Sequence, residues 1–166
     1  TELVAVPAGD GARTNPYLAA ARDVRALFDT LPIEVVTLAT ALRYGDDTFT
    51  ERLRAGWLSG TGADPAAPHA PVHLRDVAHA VAAADRQRGS GRELHVEMAL
   101  VGPERRTLGE FLGALGAPPL GAAPPADMPA PEPWLVEWLS DPPWEHALAA
   151  EGAPTVAHGA SRLPIP

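Results

Sequence analysis

The sequence predicts an α/β fold of three layers built around a mainly parallel sheet, and three observations predict it. Val35-Val36-Thr37-Leu38-Ala39-Thr40 is short, apolar and β-branched. Without polar alternation, such a run suits a strand covered on both faces, as in a parallel sheet. It follows a helical stripe that follows an apolar run at Leu3 to Val6, so strand, helix and strand come in the order of a right-handed βαβ unit. A second short apolar run leads through Asp76 into Val77, Ala80, Val81 and Ala84, one face of another helix.

Taken in order, Leu3-Val4-Ala5-Val6 is a strand that Pro7 stops. Asn15-Pro16 starts a helix over about 16–30, because Asn caps free amides and Pro gives up a donor that would be unpaired there anyway. Tyr17, Ala20, Ala21, Val24, Leu27 and Phe28 fall on one face of it, and Pro32 stops the run. After the strand at Val35, Thr48-Phe49-Thr50-Glu51 has the form of a capping box and predicts a short helix over about 49–57. Residues 60–71 are a Gly, Ala and Pro-rich loop, either a cover over a substrate or a mobile connection. Asp76 reads as the cap of the next helix. Glu93 to Met98 alternates polar and apolar, a strand with one wet face. Thr107-Leu108-Gly109-Glu110 is a second capping box; its helix turns Phe111, Leu112 and Leu115 inward and stops at Gly116.

Residues 117–133 form a Pro/Ala/Gly tract with no apolar period and read as an extended linker. Trp134, Leu135, Trp138 and Leu139 then make a short helix, and Asp141-Pro142 starts another with Trp144, His146 and Leu148. This late helical piece is either a lid or a hairpin closing the core. The organisation expected is therefore 1–116 as the main α/β body, 117–133 as linker and 134–166 as helical cap and tail.

Composition excludes several function classes. With no cysteine there is neither a disulfide framework nor a thiolate metal site. His69 and His73 are four apart, but Pro68 and Pro71 forbid a shared helix face, so no metal is expected. A formal charge of −8, with arginines scattered among carboxylates, argues against nucleic acid. No apolar run approaches the roughly 20 residues that span a bilayer, and the first residues lack a signal peptide's pattern. A cytoplasmic location is expected. All 13 basic residues are arginine, so chemistry that needs a lysine is excluded within this chain.

Tyr17 at a helix start, Thr37-Leu38 leading to Tyr44-Gly45, Val72-His73-Leu74-Arg75-Asp76-Val77-Ala78, Gly102-Pro103-Glu104 and Thr107-Leu108-Gly109-Glu110-Phe111 occur in that order. In this the chain resembles the extended and atypical short-chain dehydrogenases/reductases, the nucleotide-sugar epimerase and dehydratase relatives, over roughly residues 2–160. The resemblance is to the carboxyl-terminal half alone. It implies a partial Rossmann-like three-layer sandwich lacking the amino-terminal nucleotide-binding half, since the Gly-x-x-Gly-x-x-Gly turn and its acidic ribose partner are missing. Gly9-Asp10-Gly11 and Gly60-Thr61-Gly62 have no strand-turn-helix context to replace it.

Tyr17 stands where the family places its general acid/base; the matching lysine position is Ala21, and Pro7 and Ala8 stand near the serine position. Tyr17 is either that group or an amphipathic Tyr packing on the sheet. Arg43 and Tyr44 leave the carboxyl end of a parallel strand, where open α/β sheets place ligands. They are substrate-pocket candidates or, alternatively, a solvated Arg and a Tyr closing the core edge. His73 is a third candidate, or a structural His satisfied by backbone.

The resemblance implies the substrate-binding half of an NAD(P)-dependent reductase or epimerase acting on a small-molecule metabolite. A nucleotide-binding half would act in trans, and the chain alone would not bind NAD(P) tightly. The split-reductase reading best explains the motif order, whereas a cofactor-independent isomerase or cyclase, or a non-catalytic binding subunit, better explains the lost Ser and Lys. The partner expected is a complementary nucleotide-binding polypeptide or a second copy, covering the apolar edge left by the missing half.

Overall fold

A computed structural model describes residues 20, 23–24, 26–28, 30–31, 35–87 and 95–142. The expected strand at Leu3 to Val6, Tyr17 and the helix expected after Asp141 lie outside them. Of the helix expected over 16–30, Ala20, Asp23, Val24 and Ala26 to Phe28 are helical. Thr30 closes its end by donating from both its N–H and its hydroxyl to the Leu27 carbonyl. Val24 and Leu27 are exposed, while Phe28 is half-buried.

The strand β1 (Val35–Thr40) forms as expected and pairs in parallel with β5 (His95–Leu100), Val35 opposite His95 and Thr40 opposite Leu100. Of the strand expected over Glu93 to Met98, His95 to Met98 are strand, and Glu93 and Leu94 lie outside the described residues. Ala41 extends the ladder by donating its N–H to the Leu100 carbonyl. A second parallel pair joins β2 (Arg43–Tyr44) to β4 (Val72–His73). A third, antiparallel pair joins β3 (Pro68–His69) to β6 (Arg106–Thr107). Among the described residues the sheet is therefore three two-stranded pairs, two of them parallel, rather than one continuous sheet. The fold class is mixed α/β.

Helix α1 (Thr48–Arg54) starts one residue before the capping-box prediction. Asp47 is the cap, its Oδ1 accepting the Thr50 N–H at 2.7 Å. Thr48 loses that role because the carboxylate one residue earlier is the stronger acceptor. The Thr50 hydroxyl turns inward and accepts the Gly45 N–H at 3.0 Å. Helix α2 (Leu74–Gln87) likewise starts earlier than Asp76 predicts, because β4 runs into it with no spacer. Asp76 is in its first turn, and His73 Nδ1 accepts the Arg75 N–H at 3.1 Å. Helix α3 (Leu108–Ala114) carries the expected capping box in full, with the Thr107 hydroxyl on the Glu110 N–H and the Glu110 carboxylate on the Thr107 N–H. Those bonds, the backbone one first, hold the exposed Glu110 carboxyl below the usual carboxylate range.

Leu42, Tyr44, Leu53, Leu58, Leu108, Phe111 and Leu112 make the main core, and Leu135 and Leu139 of α4 (Pro133–Ser140) belong to the same cluster. A second cluster holds Leu38, Ala41, Val72, Val77 and Leu100, with Trp138 packed against both. Each fully enclosed Leu or Phe contributes about 1.5–3 kcal/mol relative to exposure. Helix α4 therefore closes the core. The loop over 60–71, expected to cover a substrate or to move, is packed: Ala63, Ala67 and His69 are buried, and His69 Nε2 contacts the Leu139 carbonyl at 2.8 Å.

Candidate functional site

Three stretches far apart in sequence meet beyond the end of β1. The first is Arg43-Tyr44-Gly45, the second the β4–α2 junction from Ala70 to Asp76, and the third the turn at Gly102-Pro103 that leads into β6. Tyr44 lies opposite His73 across the parallel pair, and their rings meet edge-on, centroids 5.0 Å apart at 88°. On its other side Tyr44 meets Phe111 at 5.7 Å, also edge-on. Such pairs contribute about 0.5–1.5 kcal/mol beyond area burial.

Two glycines make the approach possible. A Cβ at Gly45 would press on the Leu74 side chain at 3.0 Å, and one at Gly102 would overlap the Pro71 carbonyl. The Gly102 N–H donates to the Ala70 carbonyl at 2.9 Å, and the Val72 N–H donates to the Leu42 carbonyl at 2.9 Å. Backbone thus touches backbone at the residues flanking β2 and β4.

The structure brings together two of the sequence-predicted candidates, Tyr44 and His73. Arg43 is on the same strand, half-buried, and the strand period of two sets it off from the Tyr44–His73 contact. Tyr44 itself is only 4% exposed and belongs to the core, so it contributes to a site as rear wall.

Its phenol is pushed up to about 12, first by burial, then by the Asp76 and Glu104 carboxylates, with Arg106 opposing them. At neutral pH it therefore stays protonated and can serve only as a hydrogen-bond donor or acceptor, never as a phenolate base. The bond from Arg75 N–H occupies His73 Nδ1 as acceptor and leaves Nε2 to carry the proton of the neutral ring.

Asp76, Glu104 and Arg106 were not singled out by sequence reasoning as site residues. Asp76 is fully enclosed in the first turn of α2, where a carboxylate also complements the helix dipole. Arg106 donates from Nε and Nη2 to the same Glu104 oxygen at 3.2 and 2.8 Å. The signal available was the polar Glu104-Arg105-Arg106 run between a Gly-Pro turn and a helix cap, but its proximity to Tyr44 is a tertiary fact. No group of His, Asp or Glu with metal-binding geometry occurs among the described residues, and no helix among them is long and apolar enough to cross a membrane.

The Gly60-Thr61-Gly62 turn does not fit a dinucleotide's pyrophosphate. Its leading amide, Gly60 N–H, is donated to the Leu120 carbonyl at 2.8 Å, and Pro124 lies against the same glycine. A phosphate cradle requires those amides free.

The chain matches no protein-family model and no curated protein. Among solved structures it is similar to the UDP-glucose 4-epimerase of Thermus thermophilus in complex with NAD, at 22% identity and a TM-score of 0.44. The match covers 97% of this chain and 58% of that one. This chain thus spans under two thirds of that protein's length, and a likeness of this order carries no function across.

Proposed function

We propose that this chain is the substrate-binding half of a short-chain dehydrogenase/reductase-like enzyme, an NAD(P)-dependent reductase or epimerase acting on a small-molecule metabolite, and that its nucleotide-binding half is supplied in trans. One observation supports this best. The stretches that carry the family resemblance, Tyr44-Gly45, Val72 to Asp76 and Gly102-Pro103, interlock around one place beyond the carboxyl end of β1. In open α/β sheets that end is where ligands bind.

In this reading His73 and Arg43 are substrate-binding residues, Tyr44 backs the pocket as a neutral phenol, and the partner half brings the nicotinamide. NAD(P) supplies hydride transfer when bound. The exposed Val24, Leu27 and Leu31 favour a covering partner, either the complementary polypeptide or a second copy. The absence of lysine and the engaged Gly60 turn favour a second reading, a non-catalytic binding subunit or cofactor-independent isomerase on a degenerate reductase fold.

The coding region immediately upstream separates the two. The first reading expects it to encode βα units with the glycine fingerprint, and expects that product together with residues 1–166 to bind NAD(P) while residues 1–166 alone do not. Calorimetric titration measures both. Micromolar or tighter binding by residues 1–166 alone overturns the division of labour, and no binding by the assembled protein favours the second reading.

A further inference from the structure

The tract from Ala117 to Pro131 contains six prolines and no regular element, yet it is fixed along the turn that follows α1. Its carbonyls receive three hydrogen bonds from that turn. Trp57 donates its indole N–H to Pro129 at 2.8 Å, Gly60 its backbone N–H to Leu120 at 2.8 Å, and Ser59 its hydroxyl to Pro119 at 3.4 Å. The direction is the same each time. A proline-rich segment has carbonyls to offer and few N–H groups, so whatever binds it must supply donors.

Shape follows the same logic. Gly56 and Gly60 both have left-handed backbone, at φ 86° and 72°, and a Cβ on either would press on a proline, Pro118 or Pro124, at 3.1 Å. Between them the half-buried Trp57 ring is braced edge-on by Phe49 at 6.1 Å and covered by the Arg52 guanidinium at 5.3 Å. A braced aromatic with an outward N–H, flanked by bare backbone, is the physical recipe for binding an extended proline segment.

We infer that the Gly56–Gly60 turn with Trp57 is a proline-recognition site whose resident ligand is the chain's own Pro118–Pro129 strap, and that the outer part of the strap, Gly121 to Ala130, opens as a unit without unfolding the core. Ala117 and Leu120 at the start of the strap pack against the cluster that holds α3 and α4, and Pro131 at its end is buried, but most residues from Gly121 to Ala130 are exposed. Opening breaks contacts of the outer strap and leaves that cluster closed. The tether sets an effective concentration on the order of millimolar, so the strap outcompetes a free peptide of its own sequence. The occupant is therefore the strap itself.

Hydrogen exchange followed by NMR on the full chain tests this. The Trp57 indole N–H is expected to exchange at least tenfold more slowly than an exposed indole. In Trp57→Phe, which keeps an aromatic ring but removes the donor, the amides of residues 121–130 are expected to exchange at least tenfold faster while those of α3 stay within twofold. Strap exchange unchanged within twofold, or strap and α3 accelerating together, overturns the inference. Should Trp57→Phe fail to fold, the wild-type indole decides: exchange at the exposed rate overturns it.

Discussion

The junction around Tyr44 and His73 and the strap from Ala117 to Pro131 are both irregular, and they are held in opposite ways. At the junction, glycines remove side chains so that backbone can meet backbone, and two aromatic contacts lock Tyr44 in place. Along the strap, prolines rest on the turn after α1 and are fastened through carbonyls. Close packing leaves no room for an added methyl group, whereas a hydrogen-bonded surface strap yields to one. Irregular segments packed backbone on backbone are rigid parts of the fold, whereas those fastened by surface hydrogen bonds are ligands of it.

Adding one methyl group to each region should separate them most. Gly102→Ala would drive a Cβ into the Pro71 carbonyl, an obstacle of backbone that cannot rotate away. A cost of about 3 kcal/mol or more is expected, the scale of severe overpacking. Gly121→Ala, in the strap with open space around it, should stay within about 0.5 kcal/mol. Denaturant midpoints measure both. Equal costs would mean that the junction is no more tightly built than the strap.

The same contrast explains what was legible in the sequence. The strand at Val35, the Thr107 capping box and the inward Phe111 and Leu112 are set by local pattern, and they stand as the pattern predicts. Tyr44 and His73 could be marked because they sit at strand ends. Their ring contact and the fields of Asp76, Glu104 and Arg106 come from pairing across about 30 to 60 residues, which no local pattern contains. The 117–133 tract reads as a linker because prolines give no period. Its donors lie in another segment, where Trp57 reads as a helix face residue but stands beyond the helix end. Val24 and Leu27 fall on a periodic stripe, yet the structure leaves them exposed, since periodicity shows a face and not what covers it.

A second, smaller effect concerns charge at the junction. Burial and neighbouring carboxylates raise the Tyr44 phenol to about 12, above the ordinary 10 of an unfolded chain. The folded state then holds this proton more tightly, so its contribution is fully present below pH 10 and is lost as pH rises toward 12. The loss is expected to be about 2–3 kcal/mol, which Tyr44→Phe would not show. Denaturant midpoints below pH 10 and near pH 12 should therefore fall further for the native chain than for the variant. Parallel falls would mean that the junction admits the phenolate freely, and that packing there is looser than its aromatic contacts imply.

The smallest effect separates two ways of starting α1, the helix that leads from the junction to the strap's turn. The sequence pattern Thr48-x-x-Glu51 points to Thr48 as cap, whereas in the structure Asp47 Oδ1 accepts the Thr50 N–H and Thr48 is the first helical residue. A carboxylate satisfies a free amide and also complements the positive end of the helix, so Asp47 carries two contributions that Thr48 lacks. Asp47→Ala should cost about 1 kcal/mol, and Thr48→Ala should remain near zero. The Thr50 hydroxyl is tied to Gly45 at the junction, so loosening this helix start should also weaken that bond. Faster exchange of the Gly45 amide in Asp47→Ala than in Thr48→Ala would show that the cap supports the junction. Equal exchange in the two, with equal denaturant midpoints, would mean that Asp47 caps α1 no better than Thr48 and would leave the junction to hold itself by packing alone.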